Sequence, residues 1–374
     1  EMDQRYINDL TTISLSPESI ARHKDMKIVY TPIHGTGVEI VPAALKAFGF
    51  TNIIHVPEQD IVSGDFPTVI SPNPEEPAAL AMAVQRAKDT DAELVLATDP
   101  DADRVGAAVK NNEGEWVLLN GNQTALMFVY YLITRWKELG KIKGNEYIVK
   151  TIVSTELIRT IAERNGVELY DVYTGFKWIA AIMKDNEGKK TFIGGGEESY
   201  GFLCEDFVRD KDAVSACTML AETAAWAKDK GLTLYQLLQN IYVEYGFSKE
   251  AGISVVKKGK SGAEEIEAMM KHFRENPLTQ IAGSNVTYVY DYATLKGLSV
   301  AENEKITLDM PTTSNVIQYF TEDNTKVSIR PSGTEPKIKF YCEVHSKVKN
   351  LEELPAAELA AQEKINQIKI SLGI

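Results

Sequence analysis

Short apolar strands alternate with helices along the first two thirds of the chain, and this alternation limits the fold more than any other feature of the sequence. The first series has strands at 27–30, 53–56 and 94–97, with helices at 41–48 and 74–88 between them. The second series begins near 116 and repeats the pattern, with predicted elements at 123–137, 147–149, 155–163, 169–173, 176–184, 191–193 and 213–228. Strands that alternate with helices predict parallel βαβ units.

The last third of the chain has a different pattern. Strands are predicted at 286–290, 316–320, 327–330 and 337–344, and in the last of these apolar residues alternate with Lys337, Lys339, Tyr341 and Glu343. Such alternation is typical of an antiparallel strand with one buried face. A capping box of Ser261 and Glu264 predicts the start of a helix, and a second helix is predicted at 355–372. We therefore predict two mixed α/β three-layer domains (1–112 and 113–240) and a smaller α+β domain with an antiparallel sheet (241–374).

Composition excludes several classes of function. The 374 residues carry a formal net charge of −13, which is unfavourable for binding nucleic acid or an anionic membrane surface. The longest apolar run, 125–133, is too short to span a bilayer. The three cysteines are scattered, and the first residues are charged rather than a secretory signal, so we expect a cytoplasmic protein. Residues 6–10 read like the middle of a helix, and we expect the chain to be a fragment or a processed form.

The sharpest local feature is the carboxylate loop (98–104), which directly follows a predicted buried strand. Asp99, Asp101 and Asp103 alternate along it, so in an extended loop they project in the same direction. Three carboxylates so close together repel each other unless a cation lies among them, and oxygen ligands favour Mg²⁺, with Ca²⁺ or Mn²⁺ as alternatives. An EF-hand is excluded because positions six and twelve are Arg104 and Lys110. The alternative is a solvated acidic turn at a strand end.

Two further loops carry groups suited to an anion and to hydroxyls. In the arginine loop (330–337), Arg330 and the Ser332, Gly333 and Thr334 donors could surround a phosphate, although the segment could also be a plain hairpin turn. In the glycine loop (194–201), Glu197 and Ser199 are suited to hydrogen-bonding vicinal hydroxyls. A flexible loop with exposed acids is the alternative there.

Positive side chains are candidates for a role beside these loops. Arg104 could hold phosphoryl oxygens or merely neutralise the carboxylates. Lys177, in the lysine loop (174–178), could act in proton transfer if burial lowers its pKa, or could be an ordinary surface lysine. Weaker candidates are His34, which we interpret as shaping its loop, and Arg209 and Lys211, which precede a predicted helix cap at Asp212.

Taken in this order, the loops resemble those of the α-D-phosphohexomutase superfamily on its phosphoglucomutase side. The resemblance implies that the carboxylate loop holds Mg²⁺, that the glycine loop recognises the sugar and that the arginine loop grips its phosphate. Segments 31–37 and 174–177 match the family as well. Members of the family also carry an N-terminal domain with a phosphorylated serine in a Ser-His-Asn-Pro-like segment, and no Ser-His-Asn occurs in this sequence. We therefore expect a missing N-terminal domain as a partner, and we expect this chain alone to be inactive.

The resemblance implies an isomerase that interconverts glucose 1-phosphate and glucose 6-phosphate through a phosphoserine enzyme, with glucose 1,6-bisphosphate as intermediate and activator. Mannose or pentose phosphates remain open as substrates. In that scheme Lys177 assists proton transfer at the hydroxyl and Arg104 contacts the phosphoryl group. A non-catalytic phosphosugar-binding module would have the same loops, and so the sequence does not separate it from the enzyme.

Overall fold

The computed structural model describes residues 2–257, 259–333 and 336–374, except for the side chain of Lys260. The chain forms two compact units, the first ending at Ile241 and the second starting at Tyr242. None of the helices in the described ranges is long and apolar enough to cross a bilayer.

The first unit contains two mixed sheets. Its strands are β1 (Ile28–Thr31), β2 (Ile53–His55), β3 (Leu94–Thr98), β4 (Val105–Lys110), β5 (Trp116–Leu119), β6 (Glu146–Thr151), β7 (Glu168–Val172), β8 (Thr191–Gly196) and β9 (Phe202–Cys204). The first sheet has the order β2-β1-β3-β4-β5, and the second has the order β7-β6-β8-β9. In each sheet the first three strands in space are parallel, as the βαβ pattern predicts, and the remaining strands are antiparallel.

Helices pack on the faces of both sheets and on one another. The helices up to residue 245 are α1 (Met2–Thr11), α2 (Pro17–Arg22), α3 (Gly37–Phe48), α4 (Pro77–Thr90), α5 (Gly121–Glu138), α6 (Leu157–Arg164), α7 (Phe176–Asp185), α8 (Ala213–Asp229) and α9 (Leu234–Tyr245). Alanines of α4 pack on the first sheet, and Phe176, Ile179 and Met183 of α7 pack on the second. The predicted three-layer arrangement of the two α/β domains is confirmed.

Helix α8 is the central element of the first unit. Every residue from Ala213 to Ala227 is buried, and the helix contacts β3 and β4 of the first sheet and β9 of the second. A helix that is apolar or small on all sides is expected to be buried, which explains its Ala-rich sequence. Asp212 caps it as predicted, because its side chain accepts hydrogen bonds from the backbone N–H groups of Val214 and Ser215.

The second unit is an α+β domain around an antiparallel sheet, as predicted. Its elements are β10 (Phe247–Val256), α10 (Gly259–Glu275), β11 (Gln280–Ile281), β12 (Ser284–Asp291), β13 (Lys296–Ser299), β14 (Glu304–Thr307), β15 (Ile317–Thr321), β16 (Lys326–Pro331), β17 (Lys337–Ser346), a 3₁₀ turn (Leu351–Glu353) and α11 (Leu354–Leu372). The strand order is β10-β17-β16-β15-β12-β13-β14, with β11 paired to β12.

Three local predictions differ from the structure. Helix α10 begins at Gly259, so Ser261 lies inside it and the predicted capping box is wrong. Strand β5 completes the first sheet, and that sheet therefore extends beyond the predicted boundary at residue 112. Glu343 was expected on the open face of β17 but is 3% exposed, because Lys326 on the neighbouring strand places its Nζ 3.1 Å from the Glu343 carboxylate. A paired charge can be buried where an isolated charge cannot.

Candidate active site

The carboxylate loop begins where the buried strand β3 ends. Asp99 Oδ1 accepts hydrogen bonds from the backbone N–H groups of Asp103 and Arg104, each at 3.0 Å. Ala102 has a φ of +56°, which turns the chain back towards β4. One oxygen from each of Asp99, Asp101 and Asp103 can be chosen so that all three lie within 4.8 Å of one another. The predicted convergence of these side chains therefore occurs.

The electrostatics of this loop fit a hard divalent cation. Burial raises the pKa of Asp99 to about 7, and the neighbouring Asp103 and Asp101 charges add to that effect. Opposite oxygens around Mg²⁺ lie about 4 Å apart, since each Mg–O distance is about 2.1 Å. The spacing and the all-oxygen donor set suit that ion, and a bound cation would relieve the repulsion among the carboxylates.

The loop that contains Gly35 and Thr36 packs against the carboxylate loop. Thr36 donates its backbone N–H and its hydroxyl to the Pro100 carbonyl at 2.8 and 3.0 Å. A β-carbon on Gly35 would lie 2.4 Å from the Pro100 Cα, so only glycine allows this approach. The adjacent buried His34 contacts the Ile61 carbonyl and the Thr68 hydroxyl through its two ring nitrogens, at 2.7 and 2.8 Å. Both nitrogens are occupied, so His34 shapes the loop, in agreement with its interpretation from the sequence.

The glycine loop forms the turn between β8 and β9, closed by a 2.8 Å hydrogen bond from the Glu197 N–H to the Gly201 carbonyl. Glu197 is buried, and its Oε1 accepts a 2.7 Å hydrogen bond from the Gly175 N–H of the lysine loop. Burial raises the pKa of Glu197. Glu198 instead accepts from the Thr151 hydroxyl, whereas the half-buried Ser199 hydroxyl bonds to no residue within the described ranges. Glu198 has a structural partner of its own, and the hydroxyl-binding role of Glu197 and Ser199 stays a prediction.

The carboxylate loop and the glycine loop are joined directly. Arg104 and Gly201 form an antiparallel bridge, and the Val105 N–H donates to the Tyr200 carbonyl at 3.1 Å. The first N–H of α8, that of Ala213, donates to the Ala102 carbonyl, also at 3.1 Å. Within the first unit, these contacts place the carboxylate loop, with its candidate metal ligands, next to the glycine loop, with its candidate hydroxyl-binding residues.

The base of the glycine loop rests on the start of α5. A β-carbon on Gly121, the first residue of that helix, would lie 1.9 Å from the Glu198 carbonyl oxygen and 2.9 Å from the Tyr200 nitrogen. Gly121 was not among the site residues predicted from the sequence. The sequence signal that could have pointed to Gly121 is the capping box of Asn120 and Gln123. This capping box is present in the structure and places Gly121 at the start of the helix.

The cationic candidates occupy different environments. Arg104 Nε lies 3.8 Å from Asp99 and 3.9 Å from Asp103, so this guanidinium borders the carboxylates as predicted. Lys177 is exposed in the first turn of α7, with its Nζ 5.1 Å from the Trp178 ring centre. The burial that its proton-transfer role would require is therefore not found. Arg209 pairs with Glu187 at 3.0 Å, whereas Lys211 pairs with Asp103.

The arginine loop lies in the second unit, where β16 enters it and β17 leaves it. The Ser332 N–H donates to the Lys337 carbonyl at 2.8 Å, and Pro336 accepts from the Lys257 N–H at 2.9 Å. A cavity of about 300 Å³ lies beside the loop and is lined in part by Ser332 and Met270. Gly333 is exposed, and Thr334 lies outside the described residues. Its anion-binding role stays a prediction.

Comparison with known proteins agrees with this arrangement. The chain matches three family models of phosphoglucomutase/phosphomannomutase, namely alpha/beta/alpha domain II (residues 4–114), alpha/beta/alpha domain III (120–245) and the C-terminal domain (285–361). It is 36% identical over 350 residues to a phosphoglucomutase of Staphylococcus haemolyticus, and this alignment covers 93% of the chain and 62% of that relative. The chain thus spans about three fifths of the length of that relative.

Solved structures share the fold at low sequence identity. A phosphoglucomutase/phosphomannomutase family protein from Burkholderia thailandensis matches all of the chain and 65% of its own length, at 17% identity and a TM-score of 0.66. An N-acetylphosphoglucosamine mutase from Aspergillus fumigatus, solved with glucose 1,6-bisphosphate, matches 98% of the chain and 65% of its own length, at 13% identity and a TM-score of 0.51. With its three domain matches in family order, the chain belongs to the α-D-phosphohexomutase superfamily.

Proposed function

We propose that this chain contributes the metal-binding, sugar-binding and phosphate-binding parts of a phosphoglucomutase, which transfers a phosphoryl group between the 1- and 6-positions of glucose. The observation that carries the proposal is the direct bonding of the carboxylate loop to the glycine loop, through the Arg104–Gly201 bridge and the Val105–Tyr200 hydrogen bond. The candidate metal ligands and the candidate hydroxyl-binding carboxylate therefore lie on adjacent loops, which supports the proposal. The phosphoglucomutase names of relatives at 36–38% identity support glucose as the sugar.

The side chains of the first unit have separable roles in this proposal. Asp99, Asp101 and Asp103 would hold Mg²⁺, which supplies charge neutralisation for the transferring phosphoryl group. Arg104, beside them, would contact phosphoryl oxygens with its guanidinium fork. Glu197 is oriented by the Gly175 N–H, so its remaining lone pairs can accept from a sugar hydroxyl.

Proton transfer and phosphate binding complete the scheme. Lys177 follows Gly175 by two positions, and the Gly175–Glu197 hydrogen bond connects their loops, which supports a position near the sugar hydroxyl. Because Lys177 is exposed, a bound substrate would have to cover it to bring it into a proton-transfer role. In the second unit, Arg330, Ser332, Gly333 and Thr334 would hold the phosphate that does not react, by charge-assisted hydrogen bonds.

The scheme also needs a phosphoserine, with glucose 1,6-bisphosphate as the intermediate. No Ser-His-Asn occurs in these 374 residues. We therefore propose that the chain alone binds Mg²⁺ and hexose phosphate without turnover, and that a serine-bearing domain completes the enzyme. A phosphosugar-binding module without catalysis is the second candidate, since it would need the same loops.

Ligand-dependent melting and a turnover assay test these proposals. Glucose 1-phosphate with Mg²⁺ should raise the melting temperature, and Asp101→Asn should abolish the Mg²⁺ dependence, whereas Arg330→Ala should weaken the sugar-phosphate effect alone. Mannose 1-phosphate and ribose 1-phosphate, run in parallel, decide the preferred sugar. No shift with any sugar phosphate would refute the sugar site, and glucose 6-phosphate formation by the chain alone would refute the need for another domain.

The same turnover assay separates the enzyme from the binding module. The gene sequence upstream of Glu1 identifies any preceding domain, and the longest natural chain is then assayed with glucose 1-phosphate. A phosphoglucomutase should convert it and should lose this activity when the serine is replaced by alanine. Sugar-phosphate binding without conversion by that chain would favour the module.

A further inference from the structure

Lys211 is held between the carboxylate loop and the glycine loop by a fixed backbone. The next residue, Asp212, caps α8, donates its backbone N–H to the Phe202 carbonyl at 3.2 Å and accepts a 2.5 Å hydrogen bond from the Tyr6 hydroxyl. The aliphatic part of Lys211 crosses over Gly201, where an added β-carbon would lie 2.7 Å from the Lys211 Cδ. These contacts anchor the backbone next to Lys211 and place its side-chain stem over the glycine loop.

Three carboxylates lie near the side chain of Lys211. Its Nζ is 2.5 Å from Asp103 Oδ2, and Asp103 is one of the three candidate metal ligands. Glu197 Oε2 lies 3.5 Å from the same β-carbon position over Gly201 that the Lys211 stem approaches. The positive charge of Lys211 partly opposes the rise that burial causes in the pKa of Glu197. Asp210 is a third acid, with Oδ1 3.5 Å from Nζ, but it is largely exposed.

A divalent cation held by the carboxylate loop would share Asp103 with the Lys211 ammonium. Both would bind the same carboxylate, and their like charges repel at the few ångströms that would separate them. Because the Lys211 stem and Glu197 Oε2 approach the same point over Gly201, a rotation about the terminal side-chain bonds would carry the ammonium group towards Glu197 without any movement of α8. Glu197 is also the proposed acceptor for a sugar hydroxyl, so its pairing affects the glycine loop.

We propose that Lys211 is a displaceable counter-ion, which pairs with Asp103 while the carboxylate loop holds no divalent cation and turns towards Glu197 when a cation binds. Metal occupancy then changes the charge that the glycine loop presents to a sugar. This inference rests on the proposed function for the metal and sugar roles of these loops. It adds a residue that couples the two sites.

Magnesium titration by calorimetry tests the first half of the inference. Lys211→Met removes the competing charge, and the Mg²⁺ affinity should rise by about threefold to tenfold. Lys211→Arg keeps a charge beside Asp103 and should bind Mg²⁺ much as the wild type does. Lys184→Met is the matched control, because Lys184 is an exposed lysine of α7 and its loss changes the net charge equally. Melting temperatures establish that each variant is folded, and if Lys211→Met is not, Lys211→Gln replaces it.

A double-mutant cycle with Glu197 tests the coupling. Glu197→Gln should weaken Mg²⁺ binding in the wild-type background, since the displaced ammonium is left with only the largely exposed Asp210 as an alternative partner. The effect should be at least about threefold smaller in the Lys211→Met background, because no ammonium is left to displace. Additive effects of the two substitutions would refute the link to Glu197.

The outcomes distinguish this inference from the proposed function. If Lys211→Met binds Mg²⁺ no more tightly than the wild type, the counter-ion role is wrong, although the metal site stands. If neither the wild type nor any Lys211 variant binds Mg²⁺, the metal role of the carboxylate loop fails as well. Tighter binding in Lys211→Met, without change in Lys184→Met, supports the inference.

Discussion

Gly121→Ala tests whether the glycine loop is positioned by the start of α5. The new β-carbon would lie 1.9 Å from the Glu198 carbonyl oxygen, whereas real β-carbons essentially never approach closer than 3.0 Å. The loop must therefore retreat by roughly 1 Å, and overpacking of this kind costs about 1–3 kcal/mol of unfolding free energy. With a urea m-value of about 3 kcal/mol/M, a loss of about 2 kcal/mol lowers the unfolding midpoint by roughly 0.7 M.

Tryptophan fluorescence is a selective assay for this change. All four tryptophans, Trp116, Trp136, Trp178 and Trp226, lie in the first unit, so their emission during urea unfolding reports on that unit alone. Gly64→Ala is the matched control, because a β-carbon there meets no atom within 4 Å. It should leave the midpoint unchanged or raise it slightly, since alanine restricts the unfolded chain.

A second measurement tests whether displacement of the glycine loop disturbs the carboxylate loop. The Tyr200 carbonyl accepts a hydrogen bond from the Val105 N–H, which follows the carboxylate loop directly. A retreat of the glycine loop therefore strains the point where the carboxylate loop joins β4. Mg²⁺ affinity should therefore fall in Gly121→Ala and not in Gly64→Ala. A Gly121→Ala chain with the wild-type midpoint and wild-type Mg²⁺ affinity would refute the close packing of this loop on α5.

Two further predictions concern buried carboxylates. Because the pKa of Asp99 is raised to about 7, its proton competes with the metal, and Mg²⁺ affinity in a calorimetric pH series should fall about tenfold per unit below that pH and level off above it. Without metal the same shift lowers the unfolding free energy as pH rises from about 4 to about 7, because the folded state holds the proton more tightly. Glu222→Ala should cost about 3–5 kcal/mol in urea unfolding, since it removes the acceptor of the Leu15 N–H and the Tyr131 hydroxyl. Glu222→Gln should cost less, and equal losses in the two variants would contradict this account.

Local sequence patterns predicted the elements that carry the site. The run from Leu94 to Thr98 is buried along its whole length, and it ends where the carboxylates begin. Asp212 caps α8 because a short acceptor before a helix satisfies N–H groups within three residues. Both predictions depend only on neighbours in the sequence, and both hold in the folded chain, whereas the equally local capping box at Ser261 does not, because α10 begins two residues earlier.

Other predictions failed because they concern long-range contacts. The alternation in β17 suggested an exposed Glu343, yet its partner Lys326 comes from β16 and allows the burial of both charges. The segment from Trp116 to Leu119 was predicted to begin the second series of strands and helices, but its pairing with β4 places it in the first sheet. Strand pairing is decided by edges that become available only when the sheet forms.

By itself, the sequence determined the types and local spacing of the site residues. Asp99, Asp101 and Asp103 alternate after a strand, and charge repulsion among three close carboxylates already indicates a cation. Only the tertiary structure decided that Lys211 pairs with Asp103 and that Gly121 supports the glycine loop. Those contacts arise because the buried helix α8 and the start of α5 bring distant segments together, and no local pattern encodes such a distance.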